Sequence, residues 1–343
     1  MSTKIQFRRD TSANWTSANP VLDQGELGLE TNTGKYKIGN GSTAWNSLSY
    51  GSLSGAVGAL DFTDTGSTPG VPSGAVTSFS RKIGGRLLPA FIGPSGLDSA
   101  LQPFLARNKI GYWCPPGNAT TVPGVLGYTA HTATGTATAR NVATTNLFSR
   151  MRRIGYVSAT TVGSLGGARV AVAQITLGDG SGNGGFFKVC RFGISDAATV
   201  AGARMFVGVS SATGAPTNVE PSTLTNVIGV GHGAADTNLK IFYGGSSAKT
   251  PIDLGATYAI TAGSAIPYEL ALFAPPNQNG VCSYQVTRLD TGDAASGTIS
   301  GSGGVILPAT TTLLTYMQAW RSNNATALAV GLDIMSDYIE TDN

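Results

Sequence analysis

Imidazole chemistry has little to work with in this sequence, because only His131 and His232 occur in 343 residues. Two histidines nearly remove His-based triads and His-ligated metal clusters from consideration. His232 stands between Gly231 and Gly233, which predicts a turn. No HExxH, GxSxG or Walker sequence is present. Gly34-Lys35 loosely suggests a phosphate loop, but the spacing is wrong and Tyr36 stands where Ser or Thr would hold magnesium. Asp179-Gly180-Ser181-Gly182-Asn183-Gly184-Gly185 alternates oxygen-bearing side chains as calcium loops do. It lacks the closing glutamate and a second carboxylate, so a glycine-rich hairpin turn is expected instead. Glycoside cleavage needs two facing carboxylates, and Asp236, Asp253, Glu269, Asp290 and Asp293 are available. Nothing in their local setting marks a pair. Trp113, Tyr128, Tyr243 and Trp320 are possible platforms for sugars, but burial in a sandwich core is the expected fate of each. Arg150, Arg152 and Arg153 form a basic cluster without the aromatic interleaving or zinc module of a nucleic-acid reader. These residues predict a non-enzymatic chain with no cofactor, no metal and no nucleic-acid partner, and with no receptor-contacting residue singled out.

The elements that carry these residues are short strands. Hydrophobic residues make up 41% of the chain and charged residues only 12%, about half the usual share, while glycine numbers 47. Such a chain affords a core and many turns but few charge-laced helices. Three cysteines, Cys114, Cys190 and Cys282, form no CxxC pair. Buried free thiols are expected, with a Cys190–Cys282 bridge as the alternative. The N-terminus lacks an apolar signal core, and no apolar run approaches a membrane span. Synthesis and assembly in the cytoplasm, without membrane insertion, are therefore expected.

Three zones differ in texture. Residues 1–51 alternate turn signals with short strands, Gly25–Thr31 and Lys35–Gly39, which read as a hairpin with Leu27 and Leu29 on one face. About fifty residues make a marginal core alone, so this module is expected to self-associate, with Trp15 and Trp45 as its structural aromatics. Residues 52–95 are a Gly/Ser/Pro-rich linker carrying a small hairpin around Ile83-Gly84-Gly85. Residues 96–343 repeat strand candidates between polar turns, among them Val170–Leu177, Gly185–Gly193, Tyr268–Ala274, Val281–Leu289 and Ala327–Tyr338. That spacing predicts an all-β, jelly-roll-like sandwich. One short helix is expected at Thr145–Arg153 with a threonine cap.

Charge is unevenly spread. From Leu101 to Gly178 there is no acid, whereas Asp333, Asp337, Glu340 and Asp342 crowd the C-terminus. Asp333 and Asp337 are expected to face basic residues such as Arg150, Arg152 or Arg153, within or between chains; the rival is a free basic face that steers an acidic ligand.

The first zone also resembles a known family. Ile5-Gln6-Phe7-Arg8-Arg9-Asp10-Thr11, Trp15, Asn19-Pro20-Val21-Leu22, Gly25–Thr31, Thr33-Gly34, Lys37-Ile38-Gly39 and Thr43-Ala44-Trp45, with Leu48 and Tyr50, are similar to the N-terminal domain of phage major tropism determinants. Asn32 and Asn40 stand where that family usually has Asp. The resemblance implies a small β-prism-like trimerising module in a virion fibre or spike, docked on a tail, baseplate or capsid. Segments 86–89, 92–98 and 338–342 are similar to parts of other phage tail-fibre C-termini. The implied protein is a homotrimer whose C-terminal β-domain meets a host-surface glycan or protein. The alternatives are a purely structural decoration fibre and a glycan depolymerase.

Overall fold

A computed structural model describes residues 7–51, 61–93, 98–100, 109–114, 131–260 and 265–341. The chain divides into two compact units, Met1–Thr63 and Asp64–Asn343.

The first unit is a three-stranded sheet, β1 (Arg8–Asp10), β2 (Leu27–Glu30) and β3 (Tyr36–Ile38), with helix α1 (Ser12–Ala18). β2 and β3 form the expected hairpin, while β1 joins β2 in parallel. Helix α1 was not foreseen. Thr11 caps it by accepting from the Asn14 N–H, and Asn19 ends it in the left-handed region at φ 41°. Trp15, Leu22 and Trp45 make the core, and the two indoles stack at 4.1 Å and 13°. The register puts Gly28 opposite Lys37 on the core side, where a Cβ on Gly28 would lie 2.5 Å from Trp45. The other face carries Leu27, Leu29, Tyr36 and Ile38. It stays open, with Ile38 52% exposed and Phe7, just before β1, 56% exposed. Among the described residues the leucine face of β2 is thus the less covered one, with Leu27 and Leu29 half-buried. Asn32 accepts from the Ser12 N–H and donates to its hydroxyl, and Asn40 accepts from the N–H groups of Ser42 and Thr43. Both positions keep turn chemistry without a carboxylate.

The second unit contains a small sheet and two large ones. The small sheet joins β4 (Thr77–Ile83), β5 (Arg86–Ile92) and β6 (Asp98–Ala100). In chain order there follow β7 (Lys109–Trp113), β8 (Thr132–Thr134), β9 (Thr136–Arg140), helix α2 (Leu147–Arg150), β10 (Arg153–Val157), β11 (Leu165–Arg169), β12 (Phe186–Ile194) and β13 (Arg204–Ser210). Then come β14 (Val227–His232), β15 (Lys240–Gly244), β16 (Ile252–Asp253), β17 (Tyr268–Ala274), β18 (Val281–Arg288), β19 (Ala294–Ser300), β20 (Thr315–Ser322) and β21 (Gly331–Thr341). One large sheet runs β19-β18-β17-β12-β21-β10-β9 with β7 also on β21, and the other β16-β15-β14-β13-β20-β11-β8. Their inward residues, among them Ile154, Phe192, Val207, Leu270 and Leu332, form one continuous core. This is an all-β sandwich, as the strand texture requires.

Several local expectations are corrected. Val170–Leu177 is not a strand, although Val170, Ile175 and Leu177 are buried. The strand is β11, whose poor β-formers are needed because a Cβ on Gly167 would lie 2.2 Å from the Ala319 carbonyl. The expected helix shrinks to α2, capped by Asn146 rather than threonine through a reciprocal box with Ser149. Arg153 belongs to β10 instead. His232 is the last residue of β14 and is buried, not in a turn. The expectation of buried free thiols holds for Cys190 and Cys282, which lie on strands separated by β17.

Candidate functional site

Hairpin β4–β5 turns at Gly84 and Gly85, both with positive φ, as the Gly-Gly signal predicts. It packs on the outward face of the large sheet, where Leu88, Phe187 and Ala271 are buried together. Gly84 donates its N–H to the Gln285 side-chain oxygen at 3.3 Å, and Arg86 pairs with Glu340. A Cβ on Gly85 would meet Ser283 at 2.5 Å, so the docked turn admits only glycine there.

Beside this hairpin opens a cleft of about 350 Å³. Thr68, Arg81 and Lys82 form one wall, and Glu269, Gln285 and Thr287 on β17 and β18 form the other. Arg81 donates to the Thr68 hydroxyl at 3.4 Å, and Gln285 donates its amide to the Thr287 hydroxyl at 3.2 Å. Arg191 holds Glu269 at 2.7 Å, while Lys82 lies 4.0 Å from Asp64, at the limit of an ion pair. The cleft has the size of a small-ligand site. Its lining of hydroxyls, an amide, two cations and the Glu269 carboxylate suits a hydroxyl-rich ligand. Its described lining holds no Ser, Cys or Thr paired with a base. Its signal in the sequence was faint: Arg81-Lys82 is visible, but the opposite wall lies some two hundred residues away.

The other candidate residues go elsewhere. Asp236 pairs with Lys240 at 2.6 Å and accepts from the Gly233 N–H. Asp253 accepts from the Gly255 N–H, Asp290 pairs with Arg288, and Asp293 accepts from the Thr291 hydroxyl. The hydrogen bond from Gly255 holds Asp253, and that from Arg288 holds Asp290, below the usual carboxylate range. That is the opposite of what a general acid requires. Asp179 accepts from the Ser181 and Asn183 N–H groups, as a turn does. Trp320 is buried with Phe206, Val227 and Phe242, and Tyr243 is half-buried against the main core. Trp113 lies in β7, with its side chain outside the described residues, as is all of Tyr128.

The arginine cluster also divides. Arg153 is buried and donates to Asp333 at 3.0 Å, with Arg140 on the other oxygen at 3.2 Å. Arg150 donates to the Thr144 carbonyl, and Arg152 is exposed. Asp337 faces Lys188, not an arginine.

One buried constellation had no signal in the sequence. Arg321 Nε and Nη2 donate to Asp196 at 2.9 and 2.5 Å, while Nη1 lies 2.5 Å from His232 Nε2. The Gly331 N–H adds a third donor to Asp196 at 2.8 Å. Because Arg can only donate, His232 Nε2 must accept, leaving Nδ1–H to donate to the Gly233 carbonyl. Burial first, then the Arg321 charge, lowers the His232 pKa to about 3. The three side chains are almost fully buried and act as a structural clamp.

The described residues thus comprise a small β-module and a two-sheet all-β sandwich with a polar outer cleft. Residues 5–43 match the family model of the major tropism determinant N-terminal domain. A hyaluronoglucosaminidase of Streptococcus pyogenes phage H4489A is 36% identical over 47 residues, 14% of this chain and 13% of that protein's length. Among solved structures, a protein of unknown function, SO2946 from Shewanella oneidensis MR-1, aligns at 14% identity and TM-score 0.41, over 70% of this chain and 89% of its own. Arcelin-5, a lectin-like defence protein of Phaseolus vulgaris, aligns at 10% identity and TM-score 0.42, over 69% and 99%. These structural likenesses are too distant to say anything of a ligand. Among the described residues no helix is long and apolar enough to cross a membrane.

Proposed function

We propose that this chain is a phage virion fibre or spike subunit, anchored through residues 1–51 and recognising a host-surface glycan or protein through residues 96–343. The observation that carries the reading is the match of residues 5–43 to a tropism-determinant domain. The open Leu27/Leu29/Ile38 face supports a homotrimer, since a small sheet with one apolar face uncovered gains most by burying it against its own copies. Light scattering of the full chain should give a trimer, and Leu29→Asp with Ile38→Asp should shift it to monomer. A wild-type chain that is monomeric and folded at micromolar concentration would rule the trimer out.

In this reading the receptor site is the polar cleft that residues 96–343 form with the docked β4–β5 hairpin, whose Arg81 and Lys82 line its other wall. Adsorption of the purified chain to host cells should weaken at least tenfold, about 1.4 kcal/mol, when Arg81 and Lys82 are both changed to Ala. Wild-type protein that fails to bind any host cell would favour the decoration-fibre reading. Loss of host-surface polysaccharide on incubation would favour the depolymerase.

A further inference from the structure

Lys188 and Asp337 have no exposed surface at all. They lie on β12 and β21, neighbouring antiparallel strands in the middle of the sheet. The register pairs Lys188 with Ile339 and Cys190 with Asp337, so Lys188 and Asp337 are diagonal neighbours on one face. That face also carries Phe186, Cys190, Phe192 and Ile339, all members of the main core. The lysine Nζ is in direct contact with Asp337 Oδ1 inside the apolar sandwich.

An ion pair in this position is a poor stabiliser. Each ion loses several kcal/mol of hydration, and two packed apolar side chains would often serve as well. The other buried pairs differ in kind. Arg321–Asp196 and Arg153–Asp333 use guanidinium groups, which stay protonated and cannot act as nucleophiles. A lysine can lose its proton. Burial lowers the Lys188 pKa to about 8 and raises that of Asp337, so both groups are driven toward neutral amine and carboxylic acid. The contact places the nitrogen beside the carboxyl group it would attack.

We propose that Lys188 and Asp337 condense into an intramolecular amide that ties β12 to β21. The Nζ lone pair attacks Asp337 Cγ. The Cγ–OH bond then breaks, and the hydroxyl leaves with one N–H proton as water. The other proton remains on the amide nitrogen, so no oxidant or co-reactant is consumed. The Tyr338 backbone N–H, which already hydrogen-bonds the Asp337 carboxyl, steadies the charge developing on oxygen. Exclusion of bulk water favours condensation over hydrolysis. The product removes both buried charges and staples the central strand pair, a useful property in a fibre under load.

The test is the mass of the intact full chain under denaturing conditions, with a peptide map. The expected mass is one water below that of the sequence, allowing for the initiator methionine. The map should contain one branched peptide joining the segments around Lys188 and Asp337, with no tryptic cleavage after Lys188. Lys188→Arg should return the full sequence mass. Asp337→Asn should expel ammonia instead of water and reach the same cross-linked mass as wild type. Folded wild-type protein with the full sequence mass and ordinary Lys188 and Asp337 peptides would overturn the proposal. So would a water loss that maps elsewhere.

Discussion

Changing Asp196 to Ala is expected to destabilise the sandwich by about 3–5 kcal/mol, the cost of leaving a buried charge without its partner. Asp196 receives Arg321 Nε and Nη2 and the Gly331 N–H. Removing it strands a guanidinium that is 3% exposed. The urea midpoint of the full chain, followed on the sandwich transition, measures the loss. Asp196→Leu combined with Arg321→Met should recover most of it, because the partnerless charge is gone. A midpoint unchanged by Asp196→Ala would show that water reaches the arginine. The same clamp sets an acid limit. His232 is held neutral in the fold, its pKa depressed from 6.5 to about 3, whereas it protonates freely in the unfolded chain. Its contribution is complete above pH 6.5 and is lost as the pH falls toward 3. At pH 4.5 the loss from this one group should be about 2–3 kcal/mol. His232→Gln should flatten that part of the pH profile, at a cost near neutrality. His131, driven to about 3 chiefly by burial, adds in the same direction.

The second large effect is expected in the first unit, where Trp45→Ala should cost about 3–5 kcal/mol. Trp45 is 1% exposed, stacks on Trp15 and packs beside Leu22. Its carbonyl also accepts from Lys37 Nζ at 2.7 Å, and the Lys37 ammonium sits 5.0 Å from its ring centroid. A module of about fifty residues has only a few kcal/mol to lose. The variant should therefore lose near-ultraviolet indole ellipticity and become protease-sensitive within its first fifty residues. Trp45→Phe should do less damage, since a ring still fills most of the space. A Trp45→Ala chain with unchanged ellipticity and protease resistance would mean that the stacked pair contributes little to this core.

Local pattern and tertiary pairing divide what was legible in this chain. Strand texture, Gly-Gly turn chemistry and the aromatics of the first unit act over a few residues, and the sequence alone determined them. β17 falls at Tyr268–Ala274 as expected, and β4–β5 turns at the predicted glycines. Alternation also carries more than was taken from it. Phe186, Lys188, Cys190 and Phe192 share one parity, which already puts a lysine on an inward face. What alternation cannot supply is the neighbour. Lys188 meets Asp337 because non-consecutive β12 and β21 lie side by side, Arg321 on β20 reaches His232 across β13 and Asp196 beyond the end of β12, and Arg81 faces Gln285 where the small sheet packs on a large one. β11 makes the same point in reverse: its glycines look like a loop until Ala319 and Trp320 close over them. Side-chain direction follows from a two-residue period along one strand. Partner identity depends on which distant strand the twisted sheet brings within hydrogen-bonding distance, and that is a property of the whole sandwich.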